Sequence, residues 1–600
     1  MPTVASKRAL KGGEFLLRQT PANDIFIPEE WSEEQRLIGQ TMEEYIVREI
    51  HPRLDEIDSM KDIGLMPRIL EEAGELGLLG TSIPEEYGGF GMNFNTTMYV
   101  AEKSGMGFSF GTTLGAHTGI GTLPILYYGN EEQKAKYLPG LASGKTKVSY
   151  CLTEPGAGSD ANSGKTKAVL SADGSHYLIT GQKMWITNGG FADIFIVFAK
   201  IDDDKNLSAF IVEKGFGGVT LGPEEKKLGI KGSSTVQVFF NNCPVPIANL
   251  LSKRGNGFKI ALNILNIGRI KLAAAVIGGA KMCIGQTIQY AKDRKQFEKP
   301  IAEFGAIQFK LAEMAIRLYA CESASYRAGQ NIDDEYDALV ANGMDSSEAK
   351  LKSVEQFAIE CALVKVHGSE MLDYVVDEAL QIHGGMGFSA EMHIEKGYRD
   401  ARITRIYEGT NEINRMLAVG TLFKKAFKDK EIDITSPIKK VPLALFTQIF
   451  TNPGGGAFAK EKSTLENLKK LCLLVAGRAA QKYKLGLTDE QEILMNISDM
   501  MIELYVAEST VLRTEKAMGL AGADEEQLRH QESMARVYVY EAANRIYKAA
   551  KDAILSYTTG FEQRMMLRVA KQFSKTNKIN PRNLRRDIAQ YMIAEGKYPF

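Results

Sequence analysis

Hydrophobic positions follow two different periods along this chain, and the changes of period divide it into blocks. Across residues 31–141 apolar residues recur at helical spacing, for example in 67–73, where Pro67 suits a first helical turn. Across residues 148–240 the pattern changes to short runs rich in β-branched and aromatic residues. These strand-like runs are 194–198, 209–212 and 236–240. The chain therefore begins with helices and continues with a sheet.

Helical periodicity returns after the sheet and is interrupted once. Residues 258–428 contain long helical segments with few prolines, which favours a bundle of long antiparallel helices. Residues 435–456 contain three prolines and three consecutive glycines, a composition typical of a linker. Apolar residues then recur at spacings of three and four from Leu465 onwards, which predicts a second helical domain.

These patterns predict a multidomain α plus β protein with four folded units. These four domains and the two irregular segments are, in order, an irregular N-terminal segment (1–30), an N-terminal helical domain (31–145), a central antiparallel β domain (146–255), a helical bundle domain (256–430), a linker (431–456) and an appended C-terminal helical domain (457–600).

Composition and charge exclude several classes of protein. Lysine and arginine (73) balance aspartate and glutamate (74), so a net charge of −1 gives no field that attracts nucleic acid. The longest uninterrupted apolar run, 272–280, spans half a bilayer, so we expect no transmembrane helix. Scattered cysteines and histidines predict a reducing compartment and no metal site. Without an apolar signal segment, we expect a cytoplasmic location in a bacterium, or the mitochondrial matrix in a eukaryote.

Two segments of the β block combine small residues with hydrogen-bonding groups. Segment 150–160 is a hydroxyl-rich turn whose glycines let backbone amides approach a planar ring or a phosphate, although a tight surface turn has the same composition. Segment 181–190 holds Trp185, one of only two tryptophans, beside Thr187 and an Asn-Gly-Gly turn. This tryptophan suits the flank of an aromatic cofactor, and a core position explains it equally well.

Two further segments lie in the helical block. Segment 293–300 carries Arg294 near a helix end, where arginine can bind a diphosphate bidentately, although a solvated charge run is the simpler interpretation. Segment 399–412 places Glu408 between Tyr407 and a Gly-Thr break. A carboxylate on such a break can be desolvated and its pKa raised, as a general base requires, but an acid on a helix surface has the same sequence.

In this order and at these intervals, the four segments resemble the acyl-CoA dehydrogenase family from about residue 31 to about residue 420. The long C-terminal helical block, with 266–269 and 304–308, looks most like its very-long-chain branch. The resemblance implies a helical domain, a β domain and a four-helix bundle around FAD, and oxidation of acyl-CoA to trans-2-enoyl-CoA in fatty-acid β-oxidation. Glu408 would remove the α-proton, hydride would go to flavin N5, and electrons would pass to electron transfer flavoprotein.

The resemblance also assigns residues to the two ligands. Some relatives carry the base immediately before the arginine that is Arg269 here; that position is Gly268, so Glu408 is the only candidate at either location. Contacts with FAD are implied for Tyr150, Leu152, Thr153, Gly158, Ser159, Trp185, Ile186, Thr187 and Thr410. Contacts with the FAD of a neighbouring subunit are implied for Arg294, Phe297, Gln381 and Gly385. Substrate contacts are implied for Ser159, Arg269, Tyr407, Gly409, Gly111 and Gly115.

The same resemblance bears on chain length and assembly. Gly111 and Gly115 lack side chains that would close the acyl cavity, so we expect a deep cavity for long acyl chains. The appended domain favours a homodimer, because in similar long members it covers the face used for tetramers. Segment 438–446 matches a region that helps the very-long-chain branch sit on membranes, or is an ordinary linker. An acyl-CoA oxidase using dioxygen, or an assembly or scaffold protein of this fold, remains an alternative.

Overall fold

Helical regions surround one sheet in the computed structural model of this chain, which describes residues 10–434 and 456–600. The order of helices, sheet, long-helix bundle and further helices confirms the predicted fold class. Most of the predicted linker, including the segment 438–446, lies outside the described residues.

The first helical region contains π-helical turns at Ile46–Ile50 and Ala116–Gly121 in addition to its α-helices. The α-helices are α1 (Glu33–Tyr45), α2 (Leu54–Ser59), α3 (Leu65–Glu75), α4 (Phe94–Ser104), α5 (Ser109–Gly115), α6 (Leu123–Tyr128) and α7 (Glu131–Ala142). Side-chain caps fix where two of them begin. Oγ of Ser32 accepts from the N–H of Gln35 before α1, and Oδ1 of Asn93 accepts from that of Thr96 before α4.

The sheet is mostly antiparallel, as predicted, and also contains two parallel pairings. Its strands are β1 (Val148–Cys151), β2 (Lys167–Leu170), β3 (His176–Thr187), β4 (Ile194–Ile201), β5 (Ser208–Glu213), β6 (Val219–Leu221), β7 (Thr235–Pro246) and β8 (Leu250–Leu251). Their order is β6-β7-β3-β2-β4-β5-β8, and β1 and β2 each run parallel to β4. The pairing of β3 with β7 shifts register between Lys183 and Ile186, which marks a β-bulge beside Trp185.

The bundle is built from long helices, of which α8 is the most apolar. Its elements are α8 (Gly257–Asp293), a small hairpin of β9 (Lys295–Gln296) and β10 (Lys299–Pro300), α9 (Gly305–Ala341), α10 (Ser346–Gln356), α11 (Ala358–His383), α12 (Gly385–Phe388), α13 (Ile394–Ala401) and α14 (Asn411–Phe423). Among the described residues, only α8 is long and apolar enough to cross a membrane. Because 67% of that apolar stretch is buried inside the protein, α8 is a core helix of the bundle.

The C-terminal helices dock on the bundle through buried ion pairs. They are α15 (Ala459–Tyr483), α16 (Gln491–Ala517), α17 (Glu525–Tyr557), α18 (Gly560–Phe573) and α19 (Pro581–Glu595). Arg327 of α9 pairs with Glu508 of α16 at 2.9 Å, and Arg513 of α16 pairs with Glu322 of α9 at 2.6 Å. Lys281, Glu29 and Lys469 pair in turn with Glu322, Arg513 and Glu508, and we call all these ion pairs together the docking seam.

Candidate active site

Glu408 lies in a loop between a 3-10 turn at Arg402–Arg405 and the start of α14. Both Glu408 (φ 58°) and Gly409 (φ 78°) adopt left-handed backbone conformations, which are unfavourable for a glutamate. This strain is characteristic of functional sites and needs support from the surrounding structure.

Three buried side chains supply that support through the carbonyl oxygens of the loop. Nε of Arg269 and Nδ2 of Asn414 each donate to the carbonyl oxygen of Glu408 at 3.3 Å. Nζ of Lys365 and Nδ2 of Asn414 each donate to that of Gly409 at 2.8 Å. Since these donors are spread over α8, α11 and α14, the bundle as a whole fixes the loop.

One oxygen of the Glu408 carboxylate has no polar partner among the described residues. This oxygen, Oε2, is buried and makes no hydrogen bond within residues 10–434 and 456–600. Burial raises the pKa of Glu408 to about 7, and the positive charges of Arg269 and Lys365 only partly oppose that rise. The alternative of an acid on a helix surface is therefore wrong.

Gly268 explains how the carboxylate fits against α8. A Cβ placed at Gly268 would lie 2.5 Å from Oε2 of Glu408, closer than carbon and oxygen can approach. A side chain at 268 and the carboxylate of Glu408 therefore compete for the same volume. The two positions that the sequence resemblance offers for the base therefore converge on one point of this structure.

Glu408 and Gly268 border a cavity of about 240 Å³ whose wall is mostly apolar. Gly115 and Gly119 face open space there, as expected for a cavity left unplugged. The expectation for Gly111 needs correction, because a Cβ at this residue would lie 2.5 Å from the carbonyl oxygen of Ser104. Gly111 borders the cavity, but its missing side chain permits the close approach of two backbone segments.

The segment after β1 contributes no residue to the cavity wall and forms a ledge that is bonded to β3. Leu152 is buried, whereas Gly158 and Ser159 are exposed, and a Cβ at Gly158 would meet open space. A buried ion pair fixes the ledge: Nζ of Lys183 lies 2.7 Å from Oε1 of Glu154 and also donates to the carbonyl oxygen of Leu152. The carbonyl oxygen of Thr153 accepts from Met184 of β3 at 2.9 Å.

Trp185 is 54% exposed and has φ 59°, so the core interpretation of this tryptophan is wrong. Its neighbour Ile186 is buried in the sheet, while Thr187 lines the cavity. The hydroxyl of Tyr150 is buried, and no hydrogen-bond partner for it exists among the described residues. An exposed indole, a lining hydroxyl and an unsatisfied phenol fit a planar, polar cofactor ring.

Two site residues lie at the ends of the loop that carries Glu408. Tyr407 lines the cavity, and burial raises the pKa of its phenol. Thr410 caps α14, since its side chain accepts from the N–H of Ile413 at 3.2 Å. The N-terminal end of a helix favours phosphate groups.

A separate group of assigned residues lies at the ends of α8 and α11. Arg294, Phe297, Gln381 and Gly385 are all exposed, Phe297 to 88%, and none of them lines the cavity. The two helix ends are neighbours, because the hydroxyl of Tyr290 donates to the carbonyl oxygen of His383 at 3.1 Å. These four residues therefore share a surface that does not reach Glu408 within one chain.

Sequence reasoning missed the side chains that hold the loop and the ledge. Lys365 is a single charge within the apolar run 361–366, and it also donates to Oδ1 of Asn411 at 2.8 Å. A lysine in such a run signals a buried cation with a specific partner. Asn414 and Lys183 carry no comparable signal, because their partners come from the fold.

Four domain families match the chain, and all four are described as domains of acyl-CoA dehydrogenases. They are "Acyl-CoA dehydrogenase, N-terminal domain" over 32–145, "Acyl-CoA dehydrogenase, middle domain" over 149–243, and two families described as "Acyl-CoA dehydrogenase, C-terminal domain" over 255–422 and 467–572.

Individual relatives extend this similarity over the whole chain. A probable acyl-CoA dehydrogenase of Bacillus subtilis (strain 168) is 45% identical over 98% of this chain and 98% of its own. The mitochondrial very long-chain specific acyl-CoA dehydrogenase of Homo sapiens is 37% identical over 79% of this chain and 73% of that protein. The crystal structure of an acyl-CoA dehydrogenase complexed with FAD from Bacillus anthracis has a TM-score of 0.95 and 45% identity, covering 99% of this chain and 100% of that chain. With fold, cavity and matches in agreement, the chain belongs to the acyl-CoA dehydrogenase family of FAD-dependent oxidoreductases.

Proposed function

We propose that this protein catalyses the α,β-dehydrogenation of long-chain acyl-CoA thioesters to trans-2-enoyl-CoA in fatty-acid β-oxidation. The observation that carries the proposal is the carboxylate of Glu408, which borders an apolar cavity and has its pKa raised to about 7 by burial. A carboxylate with this pKa is ionised in a large fraction of molecules at neutral pH and is a stronger base than an exposed glutamate.

Glu408 contributes a base and, through its backbone, a hydrogen-bond donor. The α-proton of a thioester is too weakly acidic to leave unless the carbonyl group is polarised. The N–H of Glu408 donates to no backbone or side-chain group in the described part of the chain, so it is available to the thioester oxygen. One such donor contributes about 3 kcal/mol towards an oxyanion. Arg269 and Lys365 hold this N–H in place through the loop carbonyls.

The residues beside the cavity fit FAD. Trp185 and Tyr150 would lie against the isoalloxazine ring, Gly158 leaves room beside the ledge, and Thr410 would hold the diphosphate at the start of α14. When bound, FAD would supply the acceptor for the β-hydrogen, which leaves as hydride. The exposed surface at Arg294 and Phe297 supports completion of this site by the second subunit of a homodimer.

The length of the cavity supports a preference for long acyl chains. Its wall on α8 extends from Gly268, beside Glu408, to Gln286. At 1.5 Å of rise per residue this stretch is about 27 Å long, well beyond the reach of a short acyl group. Gly115 and Gly119 leave the opposite wall open.

The proposal extends to partners and location. We expect electron transfer flavoprotein as the electron acceptor and a cytoplasmic or, in a eukaryote, mitochondrial location. Peripheral membrane contact through segment 438–446 is part of the same proposal, supported by the basic and apolar residues in its sequence.

Anaerobic titration of the purified, FAD-loaded protein with acyl-CoAs from butyryl- to stearoyl-CoA tests the reaction and the chain length together. Flavin absorbance should bleach, with the highest rate for long chains. A maximum at short chains contradicts the length preference, and no bleaching with any acyl-CoA contradicts the reaction. Hydrogen peroxide formed in air without an added acceptor identifies an oxidase instead.

A further inference from the structure

The cavity contains a lysine that pairs with no carboxylate of the described residues. Lys271 lies on α8 one turn after Gly268 and lines the same cavity. Its Nζ makes one hydrogen bond within the described residues, to Oγ of Ser82 at 3.4 Å, a distance at the long limit for such bonds. No carboxylate of residues 10–434 or 456–600 lies within ion-pair distance of this ammonium group.

The surroundings make this charge unfavourable. Burial lowers the pKa of Lys271 to about 8, and the positive charge of Lys350 on α10 adds to that effect. The carboxylate that pairs with Lys350, at 3.3 Å, is that of Asp333. It also accepts from the N–H groups of Phe94 and Asn95.

The rest of the wall shows that packing does not require a lysine here. The following cavity residues on α8 are Leu272, Ala275 and Val276, all of them apolar. An aliphatic side chain at 271 would avoid the cost of a half-buried cation that has no carboxylate partner among the described residues. A cation retained in such a place is explained by an anion that arrives with the ligand.

We propose that Lys271 binds a carboxylate carried by the acyl chain, so that ω-carboxyacyl-CoA thioesters form a substrate class of this enzyme. This inference rests on the function proposed above. An ammonium-carboxylate contact in an apolar cavity is a charge-assisted hydrogen bond and is stronger than one between neutral groups. The substrate carboxylate would replace the missing counter-ion.

The position of Lys271 adds a length requirement. Gly268 packs against the carboxylate of Glu408, and Lys271 lies one turn further along α8, so the ammonium group is offset from the base along the cavity. A substrate whose α-carbon lies at Glu408 can therefore place its terminal carboxylate at Lys271 only when the chain between them has a matching length. Shorter and longer diacids lose the contact.

The test compares adipoyl-, suberoyl-, sebacoyl- and dodecanedioyl-CoA with the unsubstituted acyl-CoA of each length. The quantity measured is the ratio of kcat/KM for the two members of each pair, in the FAD-loaded wild type, Lys271→Met and Lys271→Arg. Methionine keeps an unbranched stem without the charge, and arginine keeps the charge. We expect the wild-type ratio to peak at one length, to fall about tenfold or more there in Lys271→Met, and to be retained largely in Lys271→Arg.

A ratio without a peak, or one that Lys271→Met leaves unchanged, overturns the inference. An equal loss for both members of each pair also overturns it, because contact with the CoA moiety would act on both. The wild type alone provides a second readout: the peak ratio should fall as pH rises through about 8, where Lys271 loses its proton. If no acyl-CoA bleaches the flavin, the proposed function fails; bleaching by unsubstituted chains alone overturns only this inference.

Discussion

Glu408 and Glu322 are both carboxylates withdrawn from water in the bundle, yet their pKa values shift in opposite directions. Burial alone would raise the pKa of Glu322, but Lys281 and Arg513 both pair with its carboxylate and lower it. At Glu408 burial prevails and raises the pKa to about 7. Since both carboxylates are buried, the cations in direct contact with each one decide whether it is a stable ion or a base.

The difference shows where this fold satisfies charges and where it does not. In the docking seam the cations meet the carboxylate directly. In the active site, Arg269 and Lys365 donate to the carbonyl oxygens of Glu408 and Gly409, and Oε2 of Glu408 has no partner in the part of the chain that the structure describes. The loop is thus stabilised while the carboxylate keeps its affinity for a proton. Unsatisfied buried groups of this kind destabilise a protein and are typical of functional sites.

Glu408→Gln removes the base and has the largest expected effect. Glutamine keeps the size of the side chain but accepts no proton at neutral pH, so the rate of flavin reduction by acyl-CoA should fall about 10³-fold. Anaerobic stopped-flow absorbance measures this rate, and the visible spectrum checks that FAD is still bound. Fast reduction in this variant would refute the role of Glu408.

Glu322→Gln tests the carboxylate whose role is to stabilise the fold. It leaves Lys281 and Arg513 facing an uncharged group, which should lower the free energy of unfolding by about 3–5 kcal/mol. Urea unfolding measures the change, and the rate of flavin reduction in folded protein should stay at the wild-type value. The control is Glu348→Gln, whose exposed pair with Lys352 should contribute less than about 1 kcal/mol. Equal losses in the two variants would contradict the prediction.

Gly268→Ala tests the position of the Glu408 carboxylate, because it moves this group without removing it. The added methyl group would lie 2.5 Å from Oε2 of Glu408, so the side chain must shift away from its present position. A misplacement of about 1 Å should slow flavin reduction 10- to 100-fold, approximately. Gly420→Ala on α14 is the matched control, since a Cβ there meets open space. Similar rates for Gly268→Ala and the control would show that the carboxylate has room elsewhere.

The pH dependence of kcat/KM has the smallest expected effect. Because the pKa of Glu408 is raised to about 7, the base is protonated below pH 7 and ionised above it. The value of kcat/KM should therefore rise about tenfold between pH 6 and pH 8. Asp400 also borders the cavity and has its pKa raised to about 7 by burial. If Glu408 is the titrating group, the pH profile of kcat/KM in Asp400→Asn should keep its midpoint near pH 7. A flat profile in the wild type would contradict the raised pKa of Glu408.

Local patterns were enough to predict the fold class, whereas Glu408 was assigned through the resemblance of the four segments to a family, because its own sequence also fits an acid on a helix surface. The change from helical to strand periodicity appears within each segment, and the Gly-Thr break beside Glu408 is a local feature. The features that sequence reasoning missed depend on contacts between residues that are distant in sequence. The contact of Lys365 with Gly409, the exposure of Trp185 and the close approach of Gly111 to Ser104 follow from how helices and strands pack. No spacing along the chain encodes such contacts.

The docking seam has a consequence for the order in which the molecule forms. Nζ of Lys469 on α15 donates to the carbonyl oxygen of Arg18, and Arg513 on α16 pairs with Glu29. Arg18 and Glu29 are thus held by partners that the ribosome adds hundreds of residues later. These two residues leave the ribosome long before their partners and acquire their native contacts late in synthesis.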